Sequence, residues 1–250
     1  KKRLLIQTLF IVLLTSVAKL EIVDTRIDLI NFFLEIKIIN FFFVVFCLLI
    51  LMNGSNFIDG LNGLLVGYFI MITLVLIKIG VFNFYYINMV ELFFFLLTLI
   101  LIYCSNILNK LYLGDSGVYA ISMFFGLVIL DYHNKFSLIS PYFFILILWY
   151  PCFENLFSII RKFKLKRSPI NPDTNHLHQL LFYFFKKKNK LSDLTNNNLS
   201  SFSILLFNLF VFMFALNDIY STKLQIAGIF ISVLIYVIIY LYLFKFKFNN

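Results

Sequence analysis

The chain has 250 residues, of which 62% are hydrophobic and 20% aromatic, with 21 Lys and Arg against 12 Asp and Glu for a net charge of +9. Only 13% of the residues are charged, which excludes an ordinary soluble domain. The basic excess sits in short segments beside long apolar runs, the pattern that orients a membrane protein rather than one that tracks a nucleic acid, so no nucleic-acid partner is expected.

Apolar runs long enough for a membrane span, roughly 20 residues of helix, recur along the chain. They predict an all-α fold, a polytopic transmembrane helix bundle of about 8 helices, read as one integral membrane domain over 1–250. The predicted spans are 4–19, 37–53, 62–82, 91–109, 116–131, 139–160, 202–217 and 224–244. Runs such as Phe41-Phe42-Phe43 and Phe93-Phe94-Phe95 would suit strands if read alone. An open strand in lipid leaves its backbone groups unpaired, and helix is therefore expected. Cys47, Cys104 and Cys152 fall singly within apolar spans, with no spacing for zinc or a disulfide framework, and read as small core residues.

The chain opens on Lys1-Lys2-Arg3, and the apolar run that follows has no small-residue cleavage site, so no signal peptide is read. Alternating the connections across a bilayer puts the N-terminus, the stretch 53–62, the segment 110–115, a long loop 161–200 and the C-terminus on one face. That face carries 15 of the 21 Lys and Arg, which makes it cytoplasmic by the positive-inside rule. The other face holds Glu21, Asp24, Asp28, Glu35, Glu91, Asp131 and Asp218. His133 also falls there, as an ordinary loop residue. The segment 20–36 reads as an outer loop with a short interfacial piece, and its Asp24-Thr-Arg-Ile-Asp28 as a solvated loop rather than a metal site.

Three polar clusters fall on the basic face. In the first, Asn53-Gly-Ser-Asn56-Phe-Ile-Asp59-Gly60-Leu-Asn62-Gly63-Leu64, the residues Asn53, Asn56, Asp59 and Asn62 recur every third position. On a helix they would form a slowly winding polar stripe, with Gly60 and Gly63 allowing close approach of a helix or ligand. Amide and carboxylate oxygens suit a hard cation, a ribose or a uracil edge; inter-helix hydrogen bonding is the alternative. The second cluster, Leu113-Gly114-Asp115-Ser116-Gly117, starts an apolar helix. Asp115 is there either an N-cap or, beside Asp59, a magnesium ligand. The third runs from Arg161 through Arg167-Ser168-Pro169 and Pro172-Asp173 to His176-Leu-His178-Gln179. Its prolines argue against a continuous helix. Arg and protonated His donors suit a pyrophosphate, and an extended backbone would aim His176 and His178 the same way. Lys186-Lys187-Lys188 and Lys190 read as a solvated anchor facing anionic lipid. Glu154 is assigned no more than an ion pair with Arg161 or Lys162.

These clusters, in this order, resemble the polyprenyl-phosphate N-acetylhexosamine-1-phosphate transferases of glycosyltransferase family 4. The first is similar to the signature NxxNxxDGxDGL, the second to FxGDxG, and Ser168 to Gln179 to SPFxPDxxHxHH. Asn62 and Gln179 depart from the pattern, standing where many members have Asp and His. The resemblance implies attack of undecaprenyl phosphate on the β-phosphate of a UDP-N-acetylhexosamine such as UDP-GlcNAc, with release of UMP. It implies Mg2+, or Mn2+ in its place, as cofactor, and a site on the cytoplasmic face of the bacterial inner membrane, at the start of O-antigen, other lipopolysaccharide or cell-wall polymers.

Carried over, Asp115 and Asp59 are the catalytic carboxylates, and Asp115 and Asn56 the metal ligands. Asn53, Asn56, Asn62, Arg167, His176 and His178 bind substrate. The bilayer is a partner, and a homodimer stays open. The family also carries an aspartate pair just before a segment like Lys1 to Gln7, so an N-terminally truncated transferase, inactive alone, is expected. The phospho-MurNAc-pentapeptide translocase is the alternative within the family, although its histidine loop is richer in consecutive His. A transporter or lipid-binding bundle is the alternative outside it, and predicts polar residues at mid-membrane or on both faces.

Overall fold

A computed structural model describes residues 2–164 and 175–249, and among them all regular structure is helical. The helices are α1 (Lys2–Val17), α2 (Asp28–Leu34), α3 (Lys37–Ile58), α4 (Leu64–Lys78), α5 (Val81–Phe84), α6 (Met89–Ile107), α7 (Gly114–Lys135), α8 (Pro141–Ile147), α9 (Trp149–Lys164), α10 (Leu177–Lys188), α11 (Asp193–Ala215) and α12 (Thr222–Asn249). Five of them, α3, α6, α7, α11 and α12, are long and apolar enough to cross a membrane, and α8 with α9 makes a sixth if that bent pair is one span. The short apolar α4 is central: Leu64, Leu65, Val66, Tyr68, Phe69 and Ile72 are all buried, because α6, α7, α8 and α11 contribute side chains to the same core. A helix that is apolar all round belongs in such a position. A second, smaller core joins Ile11 of α1 to Val44, Val45, Leu48 and Met52 of α3 and Met123 of α7.

The span expected over 139–160 is two helices meeting at 75°. Proline has no N–H to return to the carbonyl four residues back, so Pro151 leaves the carbonyl of Ile147 without its helical partner. The hydroxyl of Tyr68, buried on α4, donates to that carbonyl at 2.8 Å. The break is therefore satisfied from outside the helix, as a buried carbonyl requires. Beyond it α9 lies against α3, and the fit is close: a Cβ on Gly54 would stand 2.0 Å from the Pro151 carbonyl oxygen.

Other boundaries also differ from expectation. The helix carrying Asn53 ends at Ile58, so the stripe stops there: Asp59 is the C-cap and Asn62 lies in the following turn, where Gly63 takes φ +75°. The stretch 161–200 is not one loop, since it contains α10 and the first two turns of α11. His133 is buried on α7, its Nε2 3.0 Å from the Asp24 carbonyl oxygen. The Asp24 segment is a clamp rather than a free solvated loop. Its Asp24 carboxylate accepts from the Arg26 amide and from Asn31, while Arg26 donates to the carbonyls of Ser137, Leu138 and Tyr220. The interfacial piece expected in 20–36 is present as α2.

Gly54→Ala must push α3 from α9 against backbone rather than a yielding side chain. Overpacking of this kind costs about 1–3 kcal/mol. A thermal melt of the purified protein should show a clear loss of stability; an unchanged melt would contradict the contact.

Candidate active site

The C-terminal end of α3 brings the clusters together. Asn56, on the last turn, donates through Nδ2 to Asp115 Oδ1 at 2.7 Å. Phe57 lies against the ring of His176, with centroids 4.9 Å apart. A Cβ on Gly60 would come within 2.6 Å of His178 Nε2. One short stretch thus touches both the start of α7 and the start of α10. Gly60 is needed for the second contact, as its place in the sequence suggests.

Asp115 does not cap its helix: the N-cap is Leu113, with no side-chain bond. Its carboxylate is half exposed and points back to α3 and α1. There Arg3 completes a ring, donating from one guanidinium nitrogen to Asp115 Oδ2 and from the other to Asn56 Oδ1, each at 2.7 Å. The guanidinium also lies over Tyr119, 5.1 Å from the ring centroid. The Asp115–Asn56 pair therefore receives a cation in this structure, a positive side chain between two hard oxygen donors. Among the described residues no three His, Cys, Asp or Glu converge as a metal cage. Mg2+ is ordinarily held by one or two carboxylates plus substrate phosphates, and this donor set fits that pattern.

Asp59 is half-buried at the carbonyl end of α3. Burial, and after it the charge of Asp115, raises its pKa from 3.8 to about 7. The partial negative charge of a helix C-terminus acts in the same direction.

The other predicted residues divide. The Asn53 amide donates to the Leu49 carbonyl of its own helix at 2.9 Å. Asn62 serves the turn: its N–H donates to Asn197, its amide to Asn109 at 3.2 Å, and its carbonyl accepts from Ser201 at 2.6 Å. Asn106 of α6 accepts from the Gly63 N–H beside it. Asn62 is thus buried and committed to α11 and to Asn109 just beyond α6. Arg167 lies outside the described residues.

His176 is the N-cap of α10, with φ −73° and ψ 151°, and His178 is on the first turn. Their rings stack at 5.6 Å and 16°. An extended N-cap followed by helix thus gives the common direction that a fully extended segment would also have given. Both nitrogens of His178 are buried without a hydrogen-bond partner among the described residues. Burial is the largest cause of its pKa falling from 6.5 to about 4, so near neutral pH it offers one donor and one acceptor rather than the positive charge expected from sequence.

Two functional candidates were missed in the sequence. Arg3 appeared only as a marker of orientation. The sequence pairs Glu154 with neighbouring cations, whereas the structure gives it His176, Leu177 and Tyr236. A lone carboxylate inside an apolar span is itself the signal, because lipid and core both penalise it without a purpose. Lys186, Lys187 and Lys188 are exposed at the end of α10, and Lys186 pairs with Asp193 at 2.7 Å.

The arrangement is that of a membrane helix bundle with hard oxygen donors, a guanidinium and buried imidazoles gathered at one end, where they can meet a polyanion. The model of glycosyl transferase family 4 matches residues 1–133, more than half of the chain, and the chain belongs to that family: it is a membrane transferase that places a sugar phosphate on a polyprenyl phosphate. Comparison with curated proteins and with solved structures finds no match. The family match ends before Glu154 and the histidines, which join the site by geometry.

The Asp59 environment gives a signed expectation. Its folded-state pKa lies above the unfolded value, so the native state holds the extra proton and stability falls as pH rises between about 4 and 7. In buffers free of divalent cations, Asp59→Asn should therefore raise the melting temperature more at pH 8 than at pH 5. Equal shifts at both pH values would contradict the raised pKa.

Proposed function

We propose that the protein transfers N-acetylhexosamine-1-phosphate from a UDP-sugar to undecaprenyl phosphate and releases UMP, on the cytoplasmic side of a bacterial inner membrane. The observation that carries this reading is the meeting of three separate polar segments on the end of α3, through Asn56 with Asp115, Phe57 with His176, and Gly60 with His178. A phosphate oxygen of the acceptor attacks the β-phosphorus of the donor; the bond from that phosphorus to the bridging oxygen breaks, and the electron pair leaves on UMP. Both reactants are anions, so the site must offset their repulsion and stabilise charge on the leaving phosphate.

Asp115 and Asn56 are the ligands through which Mg2+ would be held, and the metal would supply charge neutralisation on the diphosphate. Asn53 and Asp59 line the nucleotide side. Arg3, already between Asp115 and Asn56, is a further cation for phosphate. His178 brings two unpartnered nitrogens to the diphosphate or sugar. For the prenyl chain there is an apolar cavity of about 430 Å³ between α3, α7 and the α8–α9 pair, lined among others by Phe46, Leu48, Leu51, Ile129, Phe144 and Leu156.

Two rival readings predict other features. A transporter needs polar residues that lead across the bilayer. Here the deep Asn208 accepts from Trp149 at 2.9 Å, and the Asp24 clamp at the far end is bonded within itself and to the carbonyls of Ser137, Leu138 and Tyr220. The pentapeptide translocase is the alternative donor specificity, decided by competition between UDP-GlcNAc and UDP-MurNAc-pentapeptide. The direct test is UMP release from UDP-GlcNAc with undecaprenyl phosphate and Mg2+. In a full-length version, Asp115→Asn should lower turnover at least ~100-fold with the melting temperature held; turnover near that of the unsubstituted protein would sink the role of Asp115.

A further inference from the structure

Glu154 is fully buried, and a carboxylate in that position needs several hydrogen bonds to remain charged. It has them. Oε1 lies 2.9 Å from His176 Nδ1 and 3.4 Å from the backbone nitrogen of Leu177, and Oε2 accepts from the Tyr236 hydroxyl at 2.7 Å. Leu177 is the first residue of α10, so the carboxylate also sits at a helix N-terminus, where the helix dipole favours negative charge. Three elements, α9, α10 and α12, thereby converge on one side chain.

The consequence for His176 is geometric. Held charged by these donors, the carboxylate can only accept, so the tautomer that satisfies the 2.9 Å contact is the one with the proton on Nδ1. With Nδ1 committed to Glu154, Nε2 is the one ring nitrogen left for a ligand. The plane of the ring is fixed as well, by Phe57 on one side and the stacked ring of His178. We propose that Glu154 is a positioning residue of the transferase, locking His176 with Nδ1 protonated and Nε2 presented to the diphosphate, and that Tyr236 holds Glu154 in place. This rests on the reading of His176 as a substrate-binding residue; neither Glu154 nor Tyr236 would touch substrate.

The experiment uses a full-length version of the transferase in lipid nanodiscs. Nitrogen-15 histidine spectra of the unsubstituted protein, with His133→Asn and His178→Gln used for assignment, should show His176 protonated at Nδ1; a neutral ring protonated at Nε2 would overturn the proposal without recourse to any variant of Glu154. In the UMP-release assay with UDP-GlcNAc and undecaprenyl phosphate, Glu154→Gln should lower kcat at least tenfold with KM for the UDP-sugar changed less than threefold. Glu154→Asp should recover part of the loss, and Tyr236→Phe should fall between. Loss of turnover in His176→Gln with retention in Glu154→Gln overturns the positioning role alone. Full turnover in His176→Gln overturns the assignment of the histidine, and the proposal with it.

Discussion

The site depends on how closely α3 can lie against α9. Gly54 has no side chain, and any Cβ there would meet the Pro151 carbonyl. With the helices at that separation, the last turns of α3 run beside the segment of α9 that carries Glu154, and Phe57 and Gly60 reach His176, held by Glu154, and His178, stacked on it. Pro151 contributes twice. It turns α9 out of the line of α8, and the carbonyl it releases is bonded by Tyr68, which ties the bend to the central helix. A continuous helix over 139–160 would carry Glu154 along the axis of α8 and away from this end of α3.

The two halves of the site solve opposite electrostatic problems. At the start of α7 the groups are exposed or half-exposed, and Asp115, Asn56 and Arg3 satisfy one another in a ring. At the start of α10 the groups are buried and fixed: Glu154 has its partners and His178 is kept neutral by desolvation. Asp59 stands between, with its charge disfavoured by burial and by Asp115. A cation at Asp115 would relieve only the part of that cost due to Asp115, the smaller of the two causes. Perturbed carboxylates of this kind gather at functional sites.

Much of this was legible in the sequence. Each of the eight predicted apolar runs holds a helix, and 139–160 holds two, because length and hydropathy decide them and because lipid permits few alternatives to helix. The convergence of the three motifs at one end followed from alternating the spans. What was not legible is what depends on contacts between distant residues. The period of three from Asn53 to Asn62 looked like one stripe, but the helix ends at Ile58, and the positive φ of Gly63 turns Asn62 toward α6 and α11. The 75° bend was hidden because a proline near the middle of a long apolar run can be read as a tolerated kink. Arg3 and Glu154 were hidden because their partners lie 112 and 22 residues away.

The central claim is that a sugar phosphate, not a sugar alone, moves to the lipid. Donor UDP-GlcNAc labelled with phosphorus-32 at the β position separates the two. Transfer at the β-phosphorus predicts label in the organic phase with the lipid diphosphate and unlabelled UMP in the aqueous phase; label recovered as aqueous UDP would contradict the account.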